Sequence, residues 1–251
     1  MYAVLPRAVA DGLVGISGQP VRWVSLDNLA AAVSDVPADE FGEEPLNERI
    51  GDMSWLGPRA VAHQEVNSEL HERAEAIVPL AFGTVFRDDD RVRQLLRDQV
   101  RALSTRLEAV RGCAEWVVAL HLLKSPEVDD EPSVVAARLE IESTTPGRAH
   151  LLRQRTAALE RDAARRLQAD ASEAVLAGLR QSAVDVFVEP LPTDSVERPL
   201  LRASVLVRRE AESRFLDDID QLRTRWAEPI YRLLLTGPWP PYRFGGLTDR
   251  A

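Results

Sequence analysis

The chain has 251 residues, 45% of them hydrophobic, and carries 31 basic against 40 acidic side chains for a net charge of -9. That balance disfavours non-specific binding to nucleic acid or to an anionic lipid surface, both of which need a positive field. No run of eighteen apolar residues occurs, residues 1–5 read as a strand and not a leader, and the single Cys113 precludes an intrachain disulfide, so a reducing, cytoplasmic setting without membrane insertion is expected.

Residues 1–5 form a short strand, followed by a connection through Gly12, Gly15 and Gly18 that lacks nucleotide-binding spacing. Residues 21–24 and 29–36 suit a hairpin. Residues 37–54 place Asp39, Glu40, Glu43, Glu44, Glu48 and Asp52 among Pro and Gly, which reads as a long solvated loop. The first helix is expected from about Pro58, with Ala62, Val66, Leu70, Ala74 and Ile77 on its apolar face. Residues 77–86, IVPLAFGTVF, are an uncharged apolar run between two helical patterns. They are expected to form a central strand buried on both faces, with Phe82 and Val85 inside. Asp88, Asp89 and Asp90 open a second helix, Val92, Leu96, Gln99, Leu103, Leu107 and Val110 line it, and Gly112 stops it. Residues 115–123 alternate as a half-buried strand. This is a ferredoxin-like α+β order with an elaborated first hairpin, and the acidic, Pro-bearing residues 125–133 mark the boundary between domains 1–124 and 125–251.

The second half is read as another α+β unit. A short helix over 134–142 precedes Thr144-Thr145-Pro146-Gly147, and one long helix then runs from Arg148 to about Arg180. Leu152, Thr156, Leu159, Ala163, Leu167, Ala171 and Ala174 form its expected buried stripe; at roughly 50 Å it is too long to sit wholly over one small sheet. Strands over 184–189 and 200–208 flank a turn with Pro190, Pro192 and Pro199. Phe215, Ile219, Leu222 and Trp226 define a helix, and residues 230–235 a last strand. Residues 237–244, GPWPPYRF, have three prolines in four positions. An extended, polyproline-like tail is expected, with Trp239, Tyr242 and Phe244 either capping the protein's own core or docking a partner.

Catalytic patterns are missing. His63 and His71 fall on one helical side but eight residues apart, about 12 Å along the axis, too far to share an ion. Each is expected to be a packing or hydrogen-bonding histidine. Cys113 reads as a small buried hydrophobe. No GxSxG, Walker or dinucleotide fingerprint occurs, and Lys124 is the only lysine. One charged segment stands out: Arg148, Arg153, Arg155, Arg161, Arg165 and Arg166 face only Glu160 and Asp162 across residues 148–167. It is either a solvated face or an electropositive strip for an acidic partner, with Arg148, Arg153 and Arg155 as candidates.

GPWPPYRF after a C-terminal strand, VPLAFGTVF, Asp52-Met53-Ser54-Trp55-Leu56, His63, and Pro146-Gly147-Arg148-Ala149 opening the long helix together resemble the gas vesicle protein F/L family over nearly the whole chain. The resemblance implies a cytoplasmic accessory protein of gas vesicle assembly, with two α+β domains, no catalysis and no cofactor. Its implied partners are the small hydrophobic shell protein and other gas vesicle accessory proteins. A ferredoxin-like ligand-binding or RNA-binding regulatory module is the other reading, although an RNA-reading sheet needs exposed aromatics and a basic surface, and the first strand offers Tyr2 only.

Overall fold

The computed structural model describes residues 1–9, 12–143, 145–191 and 199–246. The fold is α+β with two four-stranded antiparallel sheets and one long helix in the second half. In the first sheet, β1 (Ala3–Leu5) lies between β3 (Leu29–Val33) and β4 (Val78–Pro79), and β2 (Arg22–Leu26) completes the order β2-β3-β1-β4. Val4 faces Ala31 on one side and Val78 on the other. The hairpin turns over two residues between Leu26 and Leu29, with Asp27 at φ 50°, a left-handed conformation that Asp tolerates.

The apolar run 77–86 is not a central strand. Only Val78 and Pro79 pair, at the sheet edge, where a proline without an N–H costs no ladder bond. Gly83 then takes φ 85°, and Thr84 returns its amide and hydroxyl to the Ala81 carbonyl at 3.2 and 2.7 Å. Ile77, Val78 and Leu80 are buried, but Phe82 is half-buried and Val85 is 42% exposed.

The acidic stretch is not a loop either. It folds into α1 (Ala38–Phe41) and α2 (Glu43–Arg49), because Phe41 anchors it at 3% exposure and Asp39, Glu40, Glu43 and Glu44 lie in first turns where carboxylates are favoured. α3 (Met53–Arg73) starts before Pro58, capped by Asp52, whose carboxylate accepts from the Ser54 amide at 2.9 Å. The next helix is two, α4 (Asp89–Asp98) and α5 (Val100–Ala109), broken at Gln99. Asp88 caps α4, and the Gly112 amide after α5 donates to the Glu75 carbonyl at 2.6 Å.

The strand over 115–123, summed above into the first domain, belongs instead to the second sheet. There β5 (Cys113–Leu122) lies between β7 (Pro199–Arg208) and β8 (Tyr231–Trp239), with β6 (Asp185–Val188) outside β7. α6 (Pro132–Glu142) and α7 (Pro146–Ser182) form a helical hairpin, and α8 (Glu212–Arg225) packs on α7. On α7, Leu152, Thr156, Ala163 and Ala171 of the expected stripe are buried, and burial continues at Val175 and Leu179, whereas Leu167 is 40% exposed. Thr144 and Pro192 of the expected turns lie outside the described residues.

Contacts divide the chain into two units. The first joins Met1–Trp116 to Leu206–Glu210 and to the residues from Gly237 on; the second holds Val117–Val205 and Ala211–Thr236. The core of the first gathers Tyr2, Leu5, Leu70, Ile77 and Phe41, with Phe82 against it. Replacing the fully buried Leu70 by Ala is expected to cost roughly 2 to 5 kcal/mol, while Val85→Ala stays within about 0.5 kcal/mol, measured by denaturant unfolding.

Candidate functional site

The arginines at the start of α7 do not lie along a single line. Helical residues three, four or seven apart share a side and residues two apart do not, so Arg148, Leu151 and Arg155 project together and Arg153 projects elsewhere. Arg148 pairs with Glu140 of α6 at 3.4 Å, Arg166 with Glu131 at 3.1 Å, and Arg165 with Asp162. Arg153, Arg155 and Arg161 are exposed and have no ion-pair partner among the described residues. Beside them the helical hairpin exposes large apolar side chains, Leu151 at 67% on α7 and Leu139 at 59% on α6.

The tail is not an extended polyproline segment. Gly237–Trp239 completes β8 at the sheet edge, and a short helix α9 (Tyr242–Gly245) follows. Prolines before a helix do not oppose it, since their fixed φ suits a first turn and they give up no intrahelical donor. Gly237 has φ 136°, and a Cβ there would fall 2.8 Å from the Trp116 ring. Tyr242 donates its hydroxyl to Gln64 Oε1 at 2.7 Å and accepts from Asn67 Nδ2 at 3.0 Å. The Arg243 amide donates to Glu115 Oε2 at 2.7 Å. Phe244 is 6% exposed and Trp239 38% exposed. Two of the three candidate aromatics are thus held inside the first unit and one reaches its surface; burial pushes the Tyr242 hydroxyl up to about 12.

The same unit contains a cleft of about 890 Å³, lined in part by Phe41, Leu46, His63, Phe82, Arg22 and Asp89. His63 comes from α3, Phe41 and Leu46 from α1 and α2, and Phe82 from the turn after β4. Phe82 packs edge-on against His63, ring centroids 5.8 Å apart. Arg22 bridges Asp35 and Asp89, each at 2.9 Å. The helical spacing of His63 and His71 is the signal the sequence offers; the cleft depends on α1 and α2, which composition disguises as a loop. Among the described residues, no group of three His, Cys, Asp or Glu is placed to hold a metal ion, and no helix is long and apolar enough to cross a membrane.

Burial, aided by the Met1 amino group, pulls His63 down to about 4. Burial does the same to His71, also to about 4, opposed by its hydrogen bond to the Cys113 carbonyl and aided by Arg209. Both folded values lie below the unfolded one, so the unfolded chain binds more protons between the two and stability is lost as pH falls from about 6.5 toward 4. Each histidine contributes at most ~3 kcal/mol to that loss. Urea midpoints at pH 7.5 and 5 are expected to differ in the wild type and to converge in His63→Gln/His71→Gln.

The family model described as gas vesicle synthesis protein GvpL/GvpF matches residues 1–245. Gas vesicle protein L of a Streptomyces species is 33% identical, over 99% of this chain and 93% of its own. Gas vesicle protein F of the same organism is 31% identical, over 93% of this chain and 91% of its own. The crystal structure of gas vesicle protein GvpF from Anabaena sp. PCC7120 shares the fold at a TM-score of 0.73 and 17% identity, covering 99% of this chain and 98% of that one. That of GvpF from Microcystis aeruginosa does so at 0.68, again with 17% identity, over 97% of each chain. The chain belongs to the GvpL/GvpF family of gas vesicle proteins.

Proposed function

We propose that this protein is an accessory assembly factor of gas vesicles, cytoplasmic and vesicle-associated, that binds the small hydrophobic shell protein without catalysing a reaction. The observation that carries the reading is the exposed surface at the start of α7. Arg148, Leu151 and Arg155 share one side there by their spacing, Arg148 paired with Glu140 and Arg155 without an ion-pair partner among the described residues, and Leu139 of α6 adds further apolar exposure. An apolar patch rimmed by polar groups is the usual form of a protein docking site, and Arg suits bidentate pairing with a partner's carboxylates. In the first unit, taken by itself, Trp239 is the tail aromatic that reaches the surface, at 38% exposed, whereas Phe244 is buried and Tyr242 is engaged by Gln64 and Asn67.

The pair Arg153→Glu and Arg155→Glu changes only exposed, unpaired side chains, so unfolding free energy is expected to stay within about 0.5 kcal/mol of wild type. Capture of the shell protein from a vesicle-forming cell is expected to fall several-fold, with the difference shrinking at high salt. Equal capture by wild type and variant would remove the α7 surface from the reading.

A further inference from the structure

The cleft of the first unit has a chemistry of its own, independent of the α7 surface. Asn67 Nδ2 lies 3.4 Å from His63 Nδ1, and an amide nitrogen can only donate, so Nδ1 is the acceptor. The depressed value of His63 keeps the ring neutral near pH 7, and its one N–H is therefore on Nε2. That nitrogen is buried, in a side chain 6% exposed, and has no hydrogen-bond partner among the described residues. A buried donor without an acceptor is costly, so a ligand that supplies one gains affinity there.

The other linings narrow the ligand. Phe41, Phe82 and Leu46 offer an apolar wall to a side chain. Asp35, Glu43, Asp88 and Asp89 outnumber Arg22 and Arg87; the Met1 amino group also lines the cleft, but burial pulls it down to about 6, and Arg22 is already held between Asp35 and Asp89. The charge excess rejects phosphate and carboxylate ligands and favours a cation at the rim. Three demands coincide: a carbonyl acceptor for His63, an apolar side chain for the aromatic wall, and a basic group for the acids. We propose that the cleft binds a protein segment in which an apolar residue is followed by Arg or Lys, with a backbone carbonyl of the segment accepting from His63 Nε2. Its volume, about 890 Å³, lies within the range of clefts that enclose such a ligand.

The probes are two blocked dipeptides, N-acetyl-Phe-Arg-amide and N-acetyl-Phe-Glu-amide, titrated into the full-length protein while the histidine ring nitrogens are followed by NMR. The basic probe is expected to shift the His63 signals saturably with a Kd of about 1 mM or below, leaving His121 and His150 in place. The acidic probe is expected to bind at least about fivefold more weakly. Replacing the rim acids, Asp35→Asn with Glu43→Lys, is expected to cancel or invert that preference without disturbing the buried wall. Overturning results are no saturable shift at His63, equal affinity for the two probes, or a preference unchanged by the rim substitutions.

Discussion

A buried amide on the inner face of α3 sets much of the first unit. Asn67 is fully buried, and an amide enclosed in an apolar core without partners costs roughly 1 to 3 kcal/mol per unmet group. α3 cannot supply everything this face requires. The Tyr242 hydroxyl, 175 residues downstream, accepts from Asn67 and donates to Gln64 one turn earlier. His71, a further turn along, reaches the Cys113 carbonyl at 2.9 Å. Arg209 donates to the carbonyls of His71 and Ala74, where a helix C-terminus favours a cation. Asn67, Gln64 and His71 each fasten a distant piece of chain, and so the unit is assembled from three separate stretches of sequence.

The aromatic side chains follow from the same packing. Phe82 leaves the sheet edge on a turn that Gly83 permits and meets Phe41 at 6.5 Å, Trp55 at 6.4 Å and His63 at 5.8 Å between ring centroids. Arg59 stacks 4.5 Å over the Trp55 ring while pairing with Glu40 at 2.8 Å, which ties α1 to α3. The cleft is therefore bounded by elements that hold one another, as a preorganised site requires.

The second unit divides its charges differently. Arg138 of α6 spans Asp129 and Glu160, both at 2.8 Å, and this network binds the helical hairpin together. Because exposed pairs of this kind contribute little to stability, the arginines left unpaired on α7 can change without loss of the fold.

The sequence by itself determined the α+β class, the long helix, the hairpin, the helix opening at Asp88 and the stop before Gly112, because these rest on local periodicity and on the backbone demands of Gly, Pro and capping carboxylates. The order of motifs along the chain also carried the family. Composition misread residues 37–54, since charged residues on the outside of short helices look like a loop until Phe41 is seen to be buried. It misread residues 77–86 as well, since an apolar run does not say whether it pairs with strands or only packs. Tertiary structure alone decided that Tyr242 meets Asn67, that residues 113–122 join the second sheet, and that His63 lies in a cleft with Phe41 and Phe82. Those outcomes depend on which distant segments satisfy a buried group, and no local pattern encodes a partner 175 residues away.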